Sequence, residues 1–322
     1  MKHLTVEQRY TISEMRLNSF SLSDIGLVIG KDKSVISREL HRNCDQRSGD
    51  YRSDLAQRKH DLRQKEKYRH RPFTDDIRLH VEELLKEDFS PEQISGRTKL
   101  EGNPCVSFER IYQHVWQDKK DGGLLYLHLR RRGRKNRKRG NSKDTRGIIK
   151  DRIGIEQRPA IVDEKLRFGD FEIDTIIGQN HQGAILTMND RRSGLLLMRK
   201  LDGKDAGPVV IKAIEALLPI KDLIYTITAD NGKEFAYHKE ISQALEIDFY
   251  FARPYHSWER GANENTNGLV RQYFKKGTSF EDITDEDIER VQNQLNNRPR
   301  KKLSYLTPNE YFFSIFTNQK LH

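Results

Sequence analysis

At 322 residues the chain exceeds one ordinary compact core and points to two or three domains. Its 58 Lys+Arg against 48 Asp+Glu give a formal charge of +10, and the excess is one-sided: residues 1–150 hold 34 basic and 22 acidic side chains, residues 151–322 hold 24 and 26. Two distant cysteines, Cys44 and Cys105, with no Cys-x-x-Cys or Cys/His cluster argue against a zinc finger or a disulfide scaffold, and no window reaches the ~18 consecutive apolar residues of a membrane span.

The start, "MKHLTVEQRYTISEM", has no apolar signal segment, so the expectation is a bacterial-type cytoplasmic, nucleoid-associated protein in a reducing compartment. A basic first half is the footprint of a module that lies on phosphates, although ribosome-bound and membrane-surface proteins share it. Residues 5–43 predict three short helices, "TVEQRYTISEMRL", "SLSDIGLVIG" and "DKSVISRELHRN". In the second, Ser21 or Ser23 caps, Ile25, Val28 and Ile29 form the apolar stripe, and Gly30 ends the helix in the left-handed region. In the third, Val35, Ile36 and Leu40 point inward while Lys33, Ser34, Ser37, Arg38 and Arg42 face out. This is either a helix-turn-helix that reads a DNA major groove over residues 1–48 or a plain three-helix bundle with a solvated face.

Residues 49–72, "YRSDLAQRKHDLRQKEKYRHRP" in the main, predict a charged helical linker. The helical pattern recurs over residues 73–120. "SPEQISGRTKL" carries a Ser cap, a Pro at the first helical position and a Gln able to close a capping box; in "VSFERIYQHVWQDKK", Ser107 opens a helix with Ile111, Val115 and Trp116 inward. Ser107, Arg110 and Gln113 are the DNA-contact candidates of this second helix-turn-helix, which alternatively serves protein contacts. Residues 121–157 form a basic linker whose "RRRGRKNRKRGNSKDTRG" builds no core; Arg130, Arg131, Arg132, Arg134 and Lys135 are suited to tracking a phosphate backbone, or they simply keep a linker soluble.

Character changes in residues 158–322. Five strand-like runs, "GDFEIDTIIG", "GAILTMNDRRSG", "LLLMRKLD", "DLIYTITADNG" and "DFYFARPY", are interrupted by helical "AGPVVIKAIEALLPI" and "KEFAYHKEISQALE". Three strands in a meander, then helix, strand, helix, strand and helix, describe a mixed sheet with packed helices, which is also the ribonuclease-H-like order. The overall expectation is a multidomain chain: all-α helix-turn-helix modules followed by an α/β ribonuclease-H-like domain. "DEDIERVQNQLNNRPRKKLSYLTPNEYFF" adds a helix, a basic turn and a last helix capped by Thr-Pro.

Asp174 sits inside a strand among Ile173, Ile176 and Ile177, where an ionisable group needs something to offset its desolvation. Glu172 shares its face by alternation, so one of the two acids is open to being an ordinary exposed one. Asp230 ends the fourth strand before Asn-Gly, a position that also suits a plain turn. Glu264, Asn267, Gly268 and Arg271 fall on one helical face, where Glu264 reaches a cation and Asn267 and Arg271 meet DNA. Oxygen donors without His or Cys suit Mg²⁺ or Mn²⁺.

With Glu264 set inside Glu-x-x-Asn-Gly-x-x-Arg, and 33 residues between it and Asp230, the three acids resemble the triad of the retroviral-integrase-like DDE transposases. "RPYHSWERGANENTNGLVRQYF", "NNRPRKKLSYLTPNEYF", "SVISREL" and "SPEQISGR" are similar to the insertion-sequence-thirty family, in the same order over nearly the whole chain. The resemblance implies that Asp174, Asp230 and Glu264 are both catalytic residues and metal ligands, with two Mg²⁺ or Mn²⁺ ions per active site. It implies hydrolysis at an element's end, then attack of the freed 3′-OH on target DNA, and double-stranded DNA bearing terminal inverted repeats as partner, with a homodimer or larger synaptic oligomer. Glu172, Glu234 and Glu259 lie outside the triad pattern, and His256 and Trp258 match family positions without a derivable role. A nuclease of the same fold that cuts without joining, and a non-catalytic DNA-binding regulator, are the alternatives.

Overall fold

The computed structural model describes residues 3–66, 72–130, 149, 151–203, 205–253 and 256–319. They divide into two compact units, Met1–His70 and Arg71–His322. Among the described residues no helix is long and apolar enough to cross a membrane.

The first unit is four helices: α1 (Val6–Leu17), α2 (Leu22–Ile29), α3 (Lys33–Asn43) and α4 (Ser53–Glu66). Thr5 with Gln8 and Ser21 with Asp24 close capping boxes at the starts of α1 and α2, and Gly30 ends α2 at φ 65°. Ile12, Ile25 and Ile36 are fully buried where the helices cross. The stripe of α2 differs from expectation, since Val28 is 64% exposed and Gly26 is buried in its place. A Cβ on Gly26 would meet Lys31 O at 2.6 Å, so a glycine allows the tight approach of the following turn and rotates the helix accordingly. Nor is α4 merely a connector. Tyr51 and Ala56 join the core, and Gln57 of α4 accepts from buried Arg9 at 2.8 Å while Glu39 of α3 accepts from it at 2.8 Å. A buried guanidinium needs several acceptors, and α3, α4 and the Leu4 carbonyl just before α1 supply them.

The second unit opens with α5 (Asp75–Lys86), α6 (Pro91–Leu100) and α7 (Phe108–Lys120). Their core of Val81, Leu85, Ile94, Ile111 and Val115 is closed by Leu125 and Leu129, so this helical module runs past residue 120. Trp116, expected inside, is 37% exposed beneath the Lys119 ammonium; Ile111 and Val115 already fill the inward face. The module is docked on the C-terminal helices described below. The Arg97 guanidinium forks onto Glu310 at 2.7 and 2.8 Å, Gln93 donates to Pro299 O, and Asp88 accepts from Tyr273 and pairs with buried Arg298.

The sheet has six strands: β1 (Ile153–Gly154), β2 (Asp170–Ile177), β3 (Ala184–Asp190), β4 (Leu196–Leu201), β5 (Thr226–Ala229) and β6 (Asp248–Phe251), in the order β1-β6-β5-β2-β3-β4. β2, β3 and β4 form an antiparallel meander, while β5 lies parallel to β2, β6 to β5 and β1 to β6. The edge strand β1 is too short to carry a period-two pattern, and it moves the start of the α/β domain from residue 158 back to 153. Short α8 (Ala160–Glu164) precedes β2; α9 (Ala206–Leu217) and α10 (His238–Leu245) cover one sheet face over Phe171, Ile173, Leu186, Ile227 and Phe249. On the other face lie α11 (Gly261–Val270) and α12 (Asp285–Asn296), over Ile176, Ile185, Leu196 and Met198, and α13 (Pro308–Gln319) ends the chain's described part. Helices on both faces of a mixed sheet make this an α/β domain, as the strand pattern predicts.

Candidate active site

Alternation along β2 sends Phe171 and Ile173 to the α9 face and Glu172, Asp174 and Ile176 to the α11 face. Asp230 follows β5 directly, and its Oδ1 accepts from Gly232 N at 2.8 Å, which closes the turn. The next residue, Asn231, donates to Ala252 O at 2.6 Å and accepts from Arg152, tying the turn to the end of β6. Asp174 and Asp230 thus stand on strands joined through β2–β5 pairing, and one guanidinium bridges them: Arg260 Nη1 lies 3.5 Å from Asp174 Oδ2 and Nη2 lies 3.3 Å from Asp230 Oδ2.

Asp174 is held from several sides. Its Oδ1 accepts from Thr175 N at 2.9 Å and its Oδ2 from Asn267 Nδ2 at 2.9 Å, while Thr187, its partner across β3, donates to Asn267 Oδ1. Burial pushes its carboxyl up to about 6; Arg260 opposes the shift, and the negative charges of Asp230 and Glu234 add to it. Glu234, outside the triad pattern, accepts from Thr175 Oγ1 at 2.9 Å and so borders the site.

Glu264 is exposed in the first turn of α11, one turn before Asn267 on the same face. Among the described residues, no three His, Cys, Asp or Glu side chains are grouped to hold a metal ion. Asp174 and Asp230 converge, while Glu264 stands apart from them. Even so, the donor set fits a hard divalent cation: a carboxylate within β2 and one just past the end of β5 already share one positive group, and every donor is oxygen.

Glu172 corrects the sequence reading. It is fully buried, with Oε1 accepting from Arg191 Nη1 at 2.7 Å and Oε2 from Asn263 N at 2.7 Å. A carboxylate at Asn263 N, in the first turn of α11, meets the positive end of the helix and fixes the segment that carries Glu264. Arg191 also donates to Glu259 O at 3.3 Å and Asp163 at 3.4 Å, so the turn after β3 braces the entry to α11. Neither Arg191 nor Arg260 is marked by any spacing in the sequence: Arg191 is placed by the turn after β3, and Arg260 by the turn that enters α11.

Several DNA-contact candidates are engaged otherwise. Arg271 donates to Ile177 O at 2.9 Å and lies over the Phe280 ring, and Arg130 donates to Asn265 and occupies the space beside Gly268. Asn267 is committed to Asp174, as described. Ser107 caps α7 by accepting from Arg110 N, and Arg110 lies over Phe73 and donates to Gln113. In α3, Lys33, Ser34, Ser37, Arg38 and Arg42 are exposed, with Arg38 Nε donating to Ser34 O at 3.0 Å. Arg131, Arg132, Arg134, Lys135 and the side chain of Trp258 lie outside the described residues; His256 donates its backbone N–H to Arg253 O.

A helix-turn-helix domain family matches residues 1–43. The transposase for insertion sequence element IS4351 of Bacteroides fragilis is 56% identical over 320 residues, covering 99% of this chain and 98% of its own. The transposase InsI for insertion sequence element IS30C of Escherichia coli (strain K12) is 34% identical over 324 residues, covering 96% of this chain and 82% of its own. The transposase for insertion sequence element IS1086 of Cupriavidus metallidurans is 31% identical over 330 residues, at 98% and 96%. The catalytic core domain of BIV integrase, a solved structure, is 17% identical and aligns with 47% of this chain and 97% of its own at a TM-score of 0.38. At that likeness the sheet order, and not the neighbour, defines the fold. With identity of this level running from the amino-terminal helices through the carboxylate-bearing sheet, the chain belongs to the insertion-sequence-thirty family of transposases, enzymes that cut and join DNA strands.

Proposed function

We propose that this transposase binds the terminal inverted repeats of its own element as a homodimer or larger synaptic complex, and cuts and joins DNA with Asp174, Asp230 and Glu264 acting on two Mg²⁺ or Mn²⁺ ions. The observation that carries this reading is the convergence of Asp174 and Asp230 on one cation beside the helix of Glu264. Such ions, when bound, lower the pKa of an attacking water or 3′-OH and offset charge building on the phosphodiester. Asp174 would hold them from within β2 and Asp230 from the end of β5, and Glu264 would complete the set from α11.

The chain's own contribution is positioning and fixed charge. Asn267 and the Thr175 N–H orient Asp174, the Gly232 N–H orients Asp230, and Glu172 pins the first turn of α11. An amide at Asp174, Asp230 or Glu264 keeps the shape but removes the negative charge that holds a cation. In the first unit the exposed face of α3 supports major-groove reading by Lys33, Ser34, Ser37, Arg38 and Arg42. Arg110 and Gln113 on α7 suit a second contact, one that the docking of this module would hold in fixed register with the sheet.

A duplex bearing the element's terminal repeats, incubated with the protein and Mn²⁺, is expected to give both cleaved ends and strand-transfer products. Cleavage without joining under varied conditions points instead to a nuclease of this fold, and specific binding without either product to a regulator. The first unit has its own core, so a fragment of residues 1–70 is expected to bind duplex DNA by itself. If it covers about four phosphates, its affinity falls roughly 10²-fold between about 50 and 200 mM salt. Titration by fluorescence anisotropy checks this, and salt-insensitive binding contradicts it.

A further inference from the structure

Arg260 is assigned no role by the triad, yet its guanidinium pairs with both site aspartates. Its side chain is 13% exposed, and it stands immediately before α11. The contacts at 3.5 and 3.3 Å lie at or beyond the usual range of a charged hydrogen bond, and Nη1 is buried without a hydrogen-bond partner. The guanidinium is therefore held by charge more than by directed hydrogen bonds. Both of its contacts are to Oδ2 atoms that a hard cation would need.

We propose that Arg260 competes with the divalent ion for Asp174 and Asp230, acting as an internal counter-cation that must withdraw as metal enters. This rests on the metal-dependent reading above. Two like charges cannot share the same carboxylate oxygens, so binding of one raises the cost of keeping the other. An arginine suits this task because it stays charged throughout the physiological range, and its planar fork spans two carboxylates where a lysine ammonium is a point charge. The competition keeps metal affinity low in the free protein while leaving the acids paired.

The test measures Mn²⁺ binding to the full-length protein without DNA, by the loss of the free-ion paramagnetic resonance signal, for wild type, Arg260→Gln, Arg260→Lys and Asp174→Asn. Arg260→Gln is expected to bind Mn²⁺ about 5- to 10-fold more tightly than wild type, with Arg260→Lys between them. Mn²⁺ is also expected to raise the melting temperature of Arg260→Gln by more than it raises that of wild type. Unchanged or weaker Mn²⁺ affinity in a cooperatively melting Arg260→Gln protein overturns the proposal; if that variant does not melt cooperatively, Arg260→Lys decides by the same criterion. Should wild type bind Mn²⁺ no better than Asp174→Asn, the metal-site reading itself fails, whereas a wild-type site lost in Asp174→Asn but indifferent to Arg260 refutes only the competition.

Discussion

Replacing Asp174 by asparagine is expected to raise the melting temperature of the catalytic unit by about 3–8 °C near neutral pH while removing strand cleavage. The carboxyl ionises at about 6 in the folded protein, above its ordinary 3.8, because burial disfavours the charged form. Between those values the unfolded chain has released a proton that the folded chain still holds, so stability falls as pH rises through that window. The shift corresponds to roughly 3 kcal/mol at most, or ~1–2 kcal/mol allowing for a partly solvated side chain. Asparagine mimics the neutral acid and keeps one acceptor oxygen for either Asn267 or Thr175 N, so it escapes most of the loss. The stabilisation is therefore expected to be small near pH 4, to grow to about pH 6 and then level off, as calorimetric melting across pH will show. A variant that melts lower than wild type at neutral pH would mean that the ionised carboxylate is a net support of the fold.

Glu172→Gln should act in the opposite direction. The substitution removes the buried carboxylate paired with Arg191, 4% exposed, leaving it only the longer 3.4 Å contact to exposed Asp163, and weakens the acceptor at Asn263 N. Breaking a buried pair from one side costs about 3–5 kcal/mol, and a drop of roughly 6–12 °C in melting temperature is expected. Well below melting, joining should still slow by about 10²-fold, since a displacement of Glu264 by 1 Å is enough to lose that much. Adding Arg191→Met to the same protein should recover much of the stability, because no unpaired charge then remains buried. Equal melting of the single and double variants would show that the pair is not what holds α11 in place.

These two acids mark how far the sequence can be read. Asp174 announces itself, because a carboxylate among isoleucines in a strand demands a reason, and the five longer strands follow from their alternation and turn residues. Glu172 does not. Its partners are Arg191, reached through the β2–β3 register, and Asn263, 91 residues away, and neither relation leaves a local pattern. Arg260 is hidden for the same reason. Within helices, the errors are of face rather than existence: Val28 and Trp116 point outward because Gly26 and the pair Ile111 and Val115 take the inward positions. The docking of α6 on the C-terminal helices depends on Gln93 and Arg97 meeting residues 206 and 213 positions later, which no window contains. Arg271 reads as a DNA contact from its place on the Glu264 face and Arg130 from its basic run, whereas a backbone carbonyl, an aromatic ring and Asn265 engage them in the fold.

Glu264, in the first turn of α11, is the acid of the proposed set not grouped with the other two, and so the one whose role most needs a measurement. The decisive measurement is a Mn²⁺-supported joining assay on terminal-repeat DNA with Glu264→Gln, run beside an end-binding titration of the same protein. The expected result is end binding within about two-fold of wild type and joining reduced by about 10²–10³-fold or more, since loss of one charge-stabilising group commonly costs about 10²–10³. Normal binding with undiminished joining would contradict the assignment of Asp174, Asp230 and Glu264 as the catalytic set.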